Sequence, residues 1–402
     1  MPLRRISYQK WSREFRAAER DRSRARHPGR VSENRFLRDI GEAFEEGHIR
    51  PQDVELRPLF EYLVPNGHEI VRSWAPSEQG DRRVQLHEVF SEAGATTTAA
   101  FANVSGQIVF TVTQEQFNNP VLIGDQVCTV VPTEFDGEKI PGVTNLGDIA
   151  EIIGEGKDYP QAGVGETWIE TPNTAKRGFI VPLTKEAIFF NRTGRLIEKC
   201  SKVAESMAIN REKRILDAVL GITTLYRRNG GAAQATYGDS HTNGDFDNLV
   251  ASNALQDWTD IEAAELAFDA ITDPDTGEPI IIGGFELIVP TALKHTARRI
   301  LNATEVRTVT NTNTTTNGPN SLEAYTVHSN QYVKARSSSA STWFAGDFKG
   351  AFAYMQNWPA QSSQAPVNSH DEFHRDVAQQ WKITERGAPA VREPRKVVKC
   401  TA

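Results

Sequence analysis

Apolar side chains recur along this chain in changing rhythms. Phe36, Leu37, Ile40 and Phe44 repeat at helical steps, as do Leu59, Phe60 and Leu63 before the stop Pro65-Asn66-Gly67. Residues 31–75 therefore predict short amphipathic helices. The stretch 91–106 is small and polar and predicts a linker or extended arm. From 107 the pattern alternates (Ile108, Phe110, Val112), which predicts a strand, and Val127–Val131 predicts another. Residues 132–167 are rich in Gly and charge, with short apolar islands at Ile149 and Ile152-Ile153. That is too long for a casual connection. Strand-like segments frame it, 127–131 before and 168–169 and 179–181 after, so a long projecting hairpin is expected.

The strongest periodicity follows. Phe189, Leu196, Cys200, Val203, Met207, Ile215, Val219 and Ile222 fall largely at three- and four-residue steps, with Glu198, Lys199, Lys202, Glu205, Arg211, Glu212 and Lys213 expected on the other faces. Asn191 is placed to cap this helix and Gly221 to end it. A helix over about 192–220 would be roughly 40 Å long. Beyond it, 227–247 reads as a polar loop, Thr259–Ala270 as a helix and 273–277 as a turn. Strands are expected at 279–282 and 285–289 and a helix over 291–301. The polar run 308–320 predicts a surface loop. Tyr325, Val327, Tyr332 and Trp343-Phe344 mark further strands, and 377–399 reads as strands broken at Arg386-Gly387.

Composition narrows the class. The chain has 402 residues, 39% of them apolar, which excludes a disordered or collagenous chain. No apolar run approaches the roughly 18 residues of a membrane span, so no membrane role is expected. The formal net charge of −7 is unevenly spread: residues 1–30 carry +7, leaving −14 on the rest. Arg4, Arg5, Arg13, Arg16, Arg20, Arg22, Arg24 and Arg26 dominate this basic arm, which suits an anionic partner. Trp11, Phe15 and Ala18 form a weak amphipathic stripe within it. Three separated cysteines (Cys128, Cys200, Cys400) and no signal-peptide pattern point away from a disulfide framework and towards a reducing cytoplasm.

Motifs for common chemistry are missing. There is no GxxxxGK[ST], no GxGxxG after a strand, no GxSxG elbow and no CxxC. His370 and His374 stand four apart, but Asp371 occupies the place where a zinc-protease motif has Glu. On a strand, His370, Glu372 and His374 would share a face, most simply a solvated one. Asp273-Pro274-Asp275-Thr276-Gly277-Glu278 departs from a calcium loop, since its Gly is fifth and Gly284 stands twelfth.

Five local strings, in order, resemble the major capsid proteins of tailed bacteriophages, the HK97-like fold. They are Glu155–Pro160, Arg177–Ile188, the group Thr276–Ile280, Phe285–Pro290 and Ala297–Leu301, then Trp343–Asp347, and Trp381–Gly387. The resemblance covers about 107–399. It implies an α+β fold with an N-terminal arm, an extended E-loop hairpin, a long spine helix in a peripheral domain, and an axial domain. The implied divisions are a basic extension and N-arm over 1–106, first peripheral strands 107–131, the E-loop 132–182, and the spine helix and peripheral domain 183–245. The axial domain would take 246–345 and returning peripheral strands 346–402.

Such a protein would self-assemble into pentamers and hexamers of an icosahedral head around double-stranded DNA, in the virion after assembly in the host cytoplasm. Portal, scaffold and cement proteins are further partners the family uses. No catalytic residue, cofactor or metal is implied. Glu155, Lys157, Asp158 and Glu166, in the E-loop, would make contacts between neighbouring subunits, and the arm's arginines would face DNA or a scaffold. Some members crosslink an E-loop lysine to a neighbour's asparagine with a glutamate's help. Lys157 with Asn357 or Asn368 and Glu372 would be the available groups. The alternatives are an encapsulin-like nanocompartment shell protein and a soluble multidomain enzyme.

Overall fold

A computed structural model describes residues 54–64, 70–72, 95–117, 122–141, 167–239, 241, 246–273, 277–311, 314–320, 322, 325–365 and 376–402. The elements run α1 Leu56–Leu63, α2 Ala95–Phe117, α3 Gly124–Val127, β1 Thr129–Pro132, β2 Lys139–Pro141, β3 Trp168–Glu170, β4 Ala175–Thr184 and α4 Lys185–Phe189. Then come α5 Thr193–Val219, β5 Leu249–Val250, α6 Trp258–Asp269, β6 Glu286–Val289, α7 Lys294–Leu301, β7 Glu305–Asn311, β8 Thr314–Pro319 and β9 Thr326–Ser329. The last are α8 Gln331–Ser337, β10 Trp343–Gly346, α9 Phe348–Ala351, β11 Phe352–Gln364, β12 Val377–Val391 and β13 Val397–Cys400. The architecture is mixed α+β. The described residues divide into two units, one drawn from 1–119, 177–208 and 359–385, the other from 120–176, 209–358 and 386–402.

In the first unit, Leu56, Leu59 and Phe60 of α1 and Ile108, Val109 and Val112 of α2 pack with Leu196, Cys200 and Met207 of α5 and with Trp381 and Ile383 of β12. The expected strand at 107–112 is a helix, which also takes in most of the expected linker. Ser105, Ile108, Val109, Val112 and Thr113 are buried, a helical stripe, whereas Phe110 is exposed. The apparent alternation came from Phe110 alone.

Helix α1 borrows its cap. Glu55 gives no side-chain bond, and the free N–H groups of Leu56 and Arg57 donate instead to Thr193 Oγ1 (3.0 Å) and Asn191 Oδ1 (3.2 Å). Asn191, in the left-handed region at φ 49°, therefore serves α1 and does not cap α5. The other end of α5 follows expectation. Gly221 at φ +68° lets its N–H reach Ala218 O (3.1 Å) while the Ile222 N–H reaches Asp217 O (2.9 Å), the paired bonds of a Schellman stop.

The second unit is built on a five-stranded sheet in the order β5-β13-β10-β6-β9. Strand β10 is antiparallel to both β13 and β6, while β13 pairs with β5 and β6 with β9 in parallel. One face (Ile288, Phe344, Val397) packs on Ile215, Leu216 and Val219 of α5 and on Tyr226 and Tyr237. The other (Leu287, Val289, Trp343, Ala345, Val398, Cys400) packs on Ile261, Ala264 and Phe268 of α6 and Ala297 and Ile300 of α7. With both faces covered, every residue of β10 is buried. In the same unit β1 runs parallel to β11 from Thr129↔Ala353 to Pro132↔Gln356.

Four more expectations are corrected. The run 308–320 is not a loop: β7 and β8 pair antiparallel from Glu305↔Pro319 to Asn311↔Thr314, consistent with the strand preference of its many threonines. Tyr332 lies in α8, because Asn330 Oδ1 accepts the Tyr332 N–H (3.2 Å) and starts a helix. Residues 279–282 form no strand beyond a single Thr272–Pro279 bridge, and Ile281 is 85% exposed. Strand β12 passes unbroken through Arg386-Gly387, and the break falls at the 3₁₀ turn Pro394–Lys396. That turn delivers β13 into the five-stranded sheet beside β10.

Candidate assembly surface

The stretch expected to project is closed at its root by β2 and β3, antiparallel with Lys139↔Glu170, Ile140↔Ile169 and Pro141↔Trp168. Segment 226–229 flanks β3: the Glu170 N–H donates to Arg227 O (3.0 Å) and the Asn229 N–H to Trp168 O (2.9 Å). Polar side chains hold this root in shape. Asp136 Oδ1 accepts the Thr174 N–H (2.7 Å) and hydroxyl (3.0 Å), and its Oδ2 pairs with Arg386 Nη2 at 3.0 Å. Those bonds, the Thr174 backbone N–H first, hold the Asp136 carboxyl below its ordinary range. Arg386 also donates to Thr174 Oγ1 (2.9 Å) and lies over the Trp358 ring at 5.6 Å. Thr171 Oγ1 accepts the Glu138 N–H (2.8 Å) and donates to Glu138 O (3.0 Å). An open groove of about 500 Å³ runs beside this root, between Glu138, Lys139, Glu170, Asn173, Leu225 and Arg227.

Deeper in the same unit lies a buried carboxylate. Glu212, 2% exposed, accepts the Ile123 (3.0 Å) and Gly124 (2.7 Å) N–H groups and an Asn330 Nδ2 hydrogen (3.1 Å). Burial raises its pKa above the ordinary value. The neighbouring Arg211 pairs with Asp125 (2.7 Å) and lies over Tyr354 at 4.4 Å. Both residues were expected on the solvated faces of the long helix. Their spacing gave the signal, since 211 and 212 share the phase of the buried Ala204, Met207, Ala208, Ile215 and Leu216. A buried ion pair, Arg395 with Glu393 (2.6 Å), fixes the 3₁₀ turn before β13.

Of the residues singled out from sequence, Glu155, Lys157, Asp158 and Glu166 lie outside the described residues. So do the eight arm arginines and His370, Glu372, His374 and Asn368. Asn357 is described, and its Nδ2 donates to Thr133 O and Phe135 O, both at 3.0 Å, a structural use of the amide that a crosslink would destroy. The three cysteines are buried and free. Burial pushes the Cys200 and Cys400 thiols up to about 12 and Cys128 further, far from a reactive thiolate. Among the described residues no three His, Cys, Asp or Glu side chains gather as a metal site, and no helix is long and apolar enough to cross a membrane.

Several large apolar side chains are exposed on or beside the strands. In β4, Val181 and Leu183 are buried while Phe179 and Ile180 are 47% and 60% exposed; Phe135, at the hairpin root, is 64% exposed. Gly178 lets β4 lie close on β12, because a Cβ there would stand 2.3 Å from Ile383 O.

A family model described as phage capsid protein matches residues 169–400, more than half of the sequence. The chain belongs to this phage capsid protein family. It is a structural protein and a component of the virion. No curated protein matches it in sequence. Solved structures similar to this capsid protein include Gordonia phage Cozz, at 15% identity and TM-score 0.42 over 70% of this chain and 86% of the other. Another is the capsid of cyanophage P-SCSP1u, at 8% identity and TM-score 0.42 over 69% and 86%. A virus-like particle from Pyrococcus furiosus matches at 6% identity and TM-score 0.40, over 73% and 98%.

Proposed function

We propose that this capsid protein self-assembles into pentamers and hexamers that close an icosahedral head around double-stranded DNA. The observation that carries the reading is the hairpin root. A structured, ion-paired base holds β2 and β3 at either side of residues 142–166, and exposed apolar side chains stand at Phe135 on this root and at Phe179 and Ile180 in β4. An arm with few contacts of its own gains stability by lying on a neighbour, and a ring of identical subunits supplies one to every arm. Glu155, Lys157, Asp158 and Glu166 are then the charged groups that meet the adjacent subunit. Each such pair is worth about 0–1 kcal/mol when exposed, and closure of the ring multiplies them.

The basic arm is the cationic element of an otherwise acidic wall. Arg4, Arg5, Arg13, Arg16, Arg20, Arg22, Arg24 and Arg26 would meet packaged DNA or an internal scaffold without sequence preference. Portal and cement proteins are further partners of such a head, assembled in the host cytoplasm. Negative-stain imaging of the purified protein tests the reading: closed polyhedral particles are expected, and a uniform small monomer under all assembly conditions would sink it. Removing residues 1–30 should impair head formation or packaging, whereas normal filled heads from the truncated chain would count against the arm's role.

A further inference from the structure

Charge in the second unit is sorted by element. From 229 to 293 the sequence has twelve Asp and Glu and not one Lys or Arg; Lys294, His295, Arg298 and Arg299 then follow within eight residues that contain no acid. The structure turns this into two oppositely charged helices. Helix α6 turns Glu262, Leu266 and Asp269 outward, with Asp257 at its start, and Leu266 stands 59% exposed between the acids. Helix α7 exposes His295, Arg298 and Arg299.

Both helices cover the same face of the five-stranded sheet, but at different strands. Helix α6 packs against β13 and α7 against β9, three strand spacings away, or about 14 Å. No ion pair joins them among the described residues. Local helix physics explains only part of the charge. Asp257 and Asp260 form a capping box at the start of α6, Glu265 accepts the Tyr325 hydroxyl, and Arg298 and Arg299 suit the last turn of α7. Glu262 has no such role, and Asp269 sits in the last turn of α6, where the helix dipole disfavours an anion.

We infer that the acidic outer face of α6 in one subunit docks on the basic face of α7 in the next, a head-to-tail contact repeated around each ring. The occupant of each face is a second copy of this chain. Charge complementarity between two unpartnered faces of one molecule, on helices three strands apart in one layer, is what a heterologous ring contact uses. The inference rests on the shell reading and names one of its contacts.

The test is a charge swap in the full chain. Arg298→Glu with Arg299→Glu, and separately Glu262→Lys with Asp269→Lys, should each lower the yield of closed particles at least tenfold, read by sedimentation and negative stain. All four substitutions together should restore assembly, because the swapped faces are again complementary. Mixing the two double variants should give even-numbered rings and no pentamers, since the subunits must alternate. Thermal unfolding of dissociated subunits confirms that each variant folds, as expected for exposed positions. Double variants that assemble like the parent chain overturn the inference and leave the shell reading standing, as does failure of the fourfold swap after both doubles fail. Loss of retained DNA alone from the α7 variant overturns it too, by assigning that face to nucleic acid. A parent chain that never forms closed particles overturns the shell reading itself.

Discussion

Two regions of the second unit are stabilised in opposite ways. In the five-stranded sheet, Trp343, Phe344 and Ala345 are wholly buried between two helical layers, so the free energy comes from apolar area taken out of water. At the hairpin root the short strands are half open, and hydrogen bonds around Asp136, Thr174, Thr171 and Asn357 set the geometry. Burial is strong and non-directional, so the sheet tolerates little volume change. Polar contacts fix direction at modest cost, so the root keeps its shape while Phe135 stays uncovered.

The sharpest way to break this comparison is at the centre of the sheet. Trp343→Ala removes a fully buried ring and leaves Asn253 O without its indole donor (2.9 Å). It should cost about 3–5 kcal/mol, read as a drop in the denaturant midpoint of dissociated subunits. A loss below about 1 kcal/mol would mean that the sheet is not the main store of stability.

Glu212 combines both regimes, being polar yet buried. Glu212→Ala leaves two backbone N–H groups and the Asn330 amide short of an acceptor, and a cost of about 2–3 kcal/mol is expected. The pH dependence has a definite sign. Burial raises the folded-state pKa above the ordinary 4.5, so between those values the folded chain binds more protons than the unfolded one. Stability from this group therefore falls as pH rises through that window. Glu212→Gln should remove that slope from a series of unfolding midpoints; an unchanged slope would assign it elsewhere.

At the hairpin root the effect should be local. Asp136→Asn weakens the bonds to Thr174 and Arg386 without opening a cavity. The global unfolding midpoint should barely move, while limited proteolysis within 132–174 should speed up several-fold. Because the folded-state carboxyl is held below its ordinary 3.8, its contribution is present above that value and is lost as pH falls below it. Acid should loosen the root of the parent chain more than that of the variant. Equal cleavage rates in both chains would show that the ion pair does not hold the root.

How much of this could be read from residues alone depended on whether a signal was local. The long helix was legible because its apolar steps persist over many turns and Gly221 supplies its stop. Helix α2 was not, since Phe110 disguised a helical stripe as alternation, and only burial shows that Val109, not Phe110, faces the core. Arg211 and Glu212 were misplaced because charge was taken as a sign of solvent. Their partners, Asp125, Tyr354, Ile123 and Gly124, lie far away in sequence. Of the strands expected to frame the hairpin, only 168–169 lies in its root; β2 fell inside the expected loop, and 127–131 and 179–181 pair elsewhere. The bonds that anchor the root join residues as distant as Asp136 and Arg386, and no spacing rule brings these together.

The smallest expected effect separates folding from assembly most cleanly. Adjacent residues of β4 differ sharply: Ile180 is 60% exposed and Val181 2%. Both are β-branched, so replacement by Thr keeps the strand preference and changes only the apolar payload. Val181→Thr puts a hydroxyl into the core and should cost about 1–3 kcal/mol in a dissociated subunit. Ile180→Thr should stay within about 0.5 kcal/mol there, yet raise the concentration needed for particle assembly. If Ile180→Thr alters neither quantity, β4 presents its apolar face to solvent alone. If it destabilises the dissociated subunit as much as Val181→Thr does, Ile180 is part of the core and the division between the two sides of β4 fails.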